Sequence, residues 1–201
     1  MNDFKKFIDS EYTKAIDLNE QFKLLDNKDW QSLTVLLELN IQIGHIYNVL
    51  NHDTEIIEEK RIINNMGDEL SDVLFQLCTL TDLEGISLED ATKYVDYDYG
   101  KLDGLSIILG QLTESLLEKY GYRFTKERYG FKTIDEFIKD RIIKMFLIIL
   151  NIATQYKLNM IEEFEKMYED ATAFINRRCN NCENNDQSKN INLLKLVWSP
   201  N

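Results

Sequence analysis

Asp68-Glu69-Leu70-Ser71-Asp72-Val73-Leu74-Phe75-Gln76-Leu77 carries more information than any other run in this chain. With Met66 before it and Leu80 after it, its apolar residues recur at three- and four-residue intervals, the spacing of one helix face. Glu84-Gly85 stops the helix just past Leu83. Inside the run, Glu69 and Asp72 are three apart and share one face. An unpaired carboxylate in an apolar setting is costly. Either the two acids lie on the solvent side of an amphipathic helix, or a cation with oxygen ligands compensates them.

Outward from this run the pattern stays helical. Residues 2–25 form an amphipathic helix broken by Asp26-Asn27-Lys28-Asp29, and Leu33 to Leu50 form an apolar one closed by Asn51-His52-Asp53. Ser87 reads as an N-cap, with Glu89 and Asp90 in the first turn after it. The second half repeats this order at an offset of 72 residues. Leu33-Thr34-Val35-Leu36-Leu37 meets Leu105-Ser106-Ile107-Ile108-Leu109, Asp68 meets Asp140, and Val73-Leu74-Phe75 meets Met145-Phe146-Leu147. The Ser87 cap is then matched by Asn159. We therefore expect an all-α bundle of two tandem helical units. Its divisions are an N-terminal helix over 1–30, a first unit over 31–100, a second over 101–178 and a polar, flexible tail over 179–201. One proline and eight glycines in 201 residues agree with long uninterrupted helices.

Charge narrows the partners. The chain has 35 acidic and 23 basic residues, a net charge of −12, which repels nucleic acid and anionic membranes. A polyanionic substrate needs a divalent cation or a local basic patch to enter. No apolar run approaches the roughly 20 residues that span a bilayer, no secretory leader opens the chain, and three cysteines make no disulfide scaffold. The expectation is a cytoplasmic protein. No glycine-rich phosphate loop or dinucleotide fingerprint is present in the sequence.

Glu69-x-x-Asp72, Val73-Leu74-Phe75-Gln76 and the later Leu83-Glu84-Gly85-Ile86-Ser87-Leu88-Glu89-Asp90-Ala91 together resemble the second half of the MazG-like family. These are all-α nucleoside triphosphate pyrophosphohydrolases related to dimeric dUTPases. Their motif is E-x-x-E on one helix and E-x-x-D on the next. The resemblance implies Mg²⁺, with Mn²⁺ as a substitute, holding a triphosphate that is cleaved to a nucleoside monophosphate and pyrophosphate. It implies Glu38, Glu69 and Asp72 as metal ligands, with Glu38 and Glu69 the catalytic acids. Gln42 is an auxiliary substrate contact; Trp30 either stacks on a base or anchors the first helix, and Arg177 and Arg178 either meet phosphates or complement a helix C-terminus. A homodimer fits the same resemblance.

The departures weigh against full function. The two usual ligand positions of the first motif fall on Leu39 and Gln42, so only Glu38 survives there as an acid. In the second unit the offset puts Gln111 and Glu114 at the first motif and Arg141 and Lys144 at the second. Residues 33–96 have 13 acids against 3 bases (net −10), while 105–178 have 11 against 12 (net +1). Fixed positive charge thus replaces a cation in the second unit, or Arg141 and Lys144 pair with Glu69 and Asp72 across the halves. The rival function is a catalytically degenerate relative acting as a nucleotide-binding or regulatory module. Of the remaining signals, the lone Cys179-x-x-Cys182 pair lacks the four ligands of a structural zinc site. His45 reads as a core or interface residue and Cys78 as a small buried hydrophobe.

Overall fold

The computed structural model describes residues 2–26, 29–51, 59–88, 102–123 and 133–185. They form six helices: α1 (Asn2–Asp26), α2 (Ser32–Asn51), α3 (Glu59–Leu83), α4 (Leu102–Lys119), α5 (Ile134–Gln155) and α6 (Met160–Asn185). No strand occurs among the described residues, so the architecture is an all-α bundle. None of the helices among them is long and apolar enough to cross a membrane.

The packing is a set of pairs around two central helices. α2 packs on α3, α4 on α5, and α1 on α6, while α3 and α5 touch each other and α1. Centrality follows from composition. Met66, Leu70, Val73, Leu74, Leu77 and Leu80 on α3, and Ile138, Ile142, Ile143, Met145, Phe146 and Ile149 on α5, are all fully buried. α1 and α6 run in the same direction. Phe7 meets Phe164 edge-on at 5.3 Å, Lys14 meets Glu165 at 2.8 Å, and the Tyr168 hydroxyl donates to Asp17 at 3.1 Å. Sharing a direction brings the C-terminal ends of α1 and α6 to the same place, which matters for the site below.

The two halves end their central helices identically. After α3, Gly85 N–H donates to Asp82 and Ile86 N–H to Thr81, closing a Schellman turn with Gly85 at φ 63°. After α5, Lys157 donates to Thr154 and Leu158 to Ala153, with Lys157 at φ 56°. Every donor and acceptor is displaced by 72 residues. Asn159 then caps α6, its Oδ1 accepting from Ile161 N–H at 3.3 Å. The helix expected after Ser87 lies outside the described residues. A left-handed conformation strains any residue with a Cβ. Lys157→Gly is therefore expected to stabilise the protein by about 1 kcal/mol, read from urea unfolding midpoints.

The first helix pair breaks the single offset. At 72 residues, buried Val35 would match Ile107, which is 63% exposed, and Leu37, 66% exposed, would match buried Leu109. At 73 residues Ser32, Leu36, Leu39 and Ile43 match Leu105, Leu109, Leu112 and Leu116, all buried. A one-residue slip rotates a helix face by about 100°, so the shared run of apolar residues disguised it. The tail also differs from expectation. α6 continues through Cys179 and Cys182 to Asn185, since no glycine or proline interrupts it there. Residues from 186 onward lie outside the described set.

Candidate functional site

A cavity of about 710 Å³ opens among α1, α2, α3 and α6. That is ample for a nucleotide-sized ligand. Its α3 wall is set by helical geometry. Asp68, Asp72 and Gln76 are four apart and stack at successive turns with a stagger of about 40°, so all three line the cavity. Glu69 is rotated away from Asp72 by about 60° the other way. It does not line the cavity and instead meets His45 Nδ1 on α2 at 3.3 Å. On the facing α2 wall, Glu38 and Gln42 repeat the four-residue spacing. Leu39, where the resemblance puts a ligand, is fully buried in the core. His45 is correspondingly a surface residue, with its side chain 47% exposed.

The rest of the lining is mixed. Leu18, Phe22 and Leu25 of α1 join Trp30, Phe75, Met167 and Phe174 as its apolar surface. Trp30 stacks on Phe22 at 6.4 Å and meets Phe75 edge-on at 6.3 Å, so one side chain both anchors α1 and lines the cavity. Asp26 and Asp170 add acids, and Arg178 is the one cationic side chain among the described lining residues. Its guanidinium lies 5.3 Å above the Phe174 ring. Arg177 is exposed and is not part of the lining. Of the residues expected from sequence, Glu38, Gln42, Trp30, Asp72 and Arg178 come together; Glu69 and Arg177 do not. Asp68 and Asp170 are additional.

Among the described residues, burial and like charge dominate at Asp68 and Asp72. Burial, with the charges of Asp68 and Glu69, pushes Asp72 up to about 7. Asp68 is raised by burial and by Asp170 and Glu163; Glu69 is raised by burial, against the lowering effect of His45. Two amide oxygens, Gln42 Oε1 and Gln76 Oε1, are buried with no hydrogen-bond partner. The second unit resolves the same problem with fixed charge. There Lys144, the counterpart of Asp72, pairs with Asp140, the counterpart of Asp68, at 2.9 Å, and Arg141 approaches the same oxygen at 3.4 Å. The partners of Glu69 and Asp72 are therefore not Arg141 and Lys144. Among the described residues no three carboxylate, imidazole or thiol groups converge as a ready-made metal cluster. Carboxylates and amide oxygens are the ligand types that Mg²⁺ takes, and it keeps several waters besides.

A pH dependence follows. Asp72 holds its proton more tightly folded than unfolded, so between its ordinary value of 3.8 and about 7 the folded state binds more protons. Its contribution to stability is present below the lower value and is lost as pH rises through the upper one. Metal-free thermal unfolding should show a melting temperature that falls across this window, and Asp72→Asn should flatten the slope.

No known protein family, curated protein or solved structure significantly matches this chain.

Proposed function

We propose that this chain is a Mg²⁺-dependent nucleoside triphosphate pyrophosphohydrolase, with Mn²⁺ able to substitute. The observation that carries the reading is the mixed lining of one cavity. Asp68, Asp72, Glu38 and Gln42 share it with Trp30, Phe22 and Phe75. A planar base and a chelated triphosphate need both kinds of lining in one groove. Asp72 and Asp68 on α3 and Glu38 on α2 would hold the ion, with Gln42 as a neutral oxygen donor. Bound there, the ion would neutralise phosphate charge and polarise the α-phosphate. Glu38, across the groove, would orient a water for attack. Arg178 offers phosphates a fixed positive charge. Without an ion, the acids of this groove repel a polyphosphate.

A second reading is a binding module that has lost catalysis. Leu39 in the core, Gln42 at the other first-motif position and Glu69 turned toward His45 leave only Asp72 of the four carboxylates that the resemblance calls for. Pyrophosphate release from a panel of ribo- and deoxyribonucleoside triphosphates separates the readings. The hydrolase reading predicts release that requires Mg²⁺ and is abolished by a chelator. Nucleotide binding with no release from any member of the panel selects the second.

A further inference from the structure

Gln76 is a second polar anomaly in the groove, distinct from the acids. It is 5% exposed, lines the cavity beside Phe75, and its Oε1 has no hydrogen-bond partner. A buried amide oxygen without a donor is destabilising, and native proteins rarely keep one. Its neighbourhood concentrates such groups. Asn19, between the lining residues Leu18 and Phe22 on α1, is fully buried with both amide atoms unpartnered. Thr79, one turn beyond Gln76 on α3, is likewise buried with an unpartnered hydroxyl. The counterpart of Gln76 in the second unit is Ile148, so the helix register itself does not demand an amide.

The polar groups on the α3 wall are ordered. Eight residues separate Asp68 from Gln76, a distance of about 12 Å along the helix. Asp68 and Asp72 occupy the first two turns of this stretch and Gln76 the third, next in sequence to Phe75, whose ring meets Phe22 at 6.1 Å and Trp30 at 6.3 Å. An aromatic surface flanked by a lone acceptor suits a flat heterocycle with an N–H on its edge.

We propose that Gln76 is the base-reading residue of the groove: its Oε1 accepts from an edge N–H or amino group of a nucleobase lying against Trp30. The substrate then lies with its phosphates toward Asp72 and Asp68. This deepens the nucleotide reading, requiring that a nucleotide bind and not that it be cleaved. A hydrophobic wall alone accepts any flat ring, whereas a buried acceptor penalises a ring that leaves it unpaired.

The test uses the full chain with Trp198→Phe, which leaves Trp30 as its one tryptophan. Adenosine, guanosine, cytidine and uridine are titrated without phosphate or metal while Trp30 fluorescence is followed. At least one nucleoside should quench saturably, and its analogue methylated at the edge nitrogen should bind about tenfold more weakly. Adding Gln76→Leu should weaken the parent nucleoside about tenfold and leave the methylated analogue unchanged. The same variant should melt no lower than the protein it derives from, because it removes an unsatisfied amide. Gln76→Leu binding the parent nucleoside undiminished, or no nucleoside quenching Trp30, overturns the proposal. Loss of discrimination in a protein that releases no pyrophosphate upholds it and rejects hydrolysis alone.

Discussion

Asp72→Asn should lower Mg²⁺-dependent pyrophosphate release by about 10²- to 10³-fold and yet stabilise the metal-free protein. The activity loss follows from Asp72 being the most perturbed carboxylate of the groove, central on the α3 wall between Asp68 and Gln76. Removing one preorganised electrostatic partner of a developing charge has costs of that order. The stability gain has the same origin. At pH 8 the wild-type groove holds Asp72 ionised close to Asp68 and Glu69, with burial opposing the charge. An isosteric amide removes that repulsion, for a gain of about 2 kcal/mol after allowance for solvent reaching the groove. Steady-state release and urea unfolding on the same preparations measure the two effects. A variant that loses activity and stability together would mean Asp72 is a structural residue.

Lys144→Ala is the converse case. Lys144 and Asp140 pair at 2.9 Å with side chains 9% and 3% exposed, so removing the ammonium leaves a buried carboxylate with Arg141 3.4 Å away. Breaking a buried pair from one side costs about 3 kcal/mol, several times what an exposed pair is worth. For a chain of this length that lowers the melting temperature by roughly 10 °C. Adding Asp140→Asn should recover most of the loss, because no uncompensated charge then remains. A loss under about 1 kcal/mol for the single variant would show that Arg141 suffices, and that Lys144 does not stand in for an ion.

These opposite signs at corresponding positions express the difference between the halves. In α5 an aspartate and a lysine four apart satisfy each other; in α3 two aspartates four apart do not. The net charges of −10 and +1 already carried that contrast in the sequence. Helix ends were equally readable. The chain turns out of α3 at Gly85 because a left-handed residue is needed there, and Glu84-Gly85 announced it.

Rotational phase was harder to read. A spacing of three and a spacing of four both keep residues on one face, and only packing decides which acid of Asp68-Glu69 faces the groove. The pairing of α2 with α3 turned Glu69 to His45, and no local signal in either helix specifies that contact. The same ambiguity hid the 73-residue register between α2 and α4. Asp170, Met167 and Phe174 were beyond reach for another reason: they join the cavity only because α6 lies alongside α1 in the same direction, a long-range arrangement. Gln76 did have a signal, a polar residue inside an apolar run, but its neighbour Phe75 made the pair look like a family signature rather than a site.

Phosphorus NMR of the protein incubated with Mg²⁺ and a nucleoside triphosphate tests the central claim most directly. Cleavage in the groove as described predicts the paired appearance of a nucleoside monophosphate and pyrophosphate, absent with chelator and absent with Asp72→Asn. A spectrum in which the triphosphate persists, or decays to diphosphate and inorganic phosphate, contradicts it.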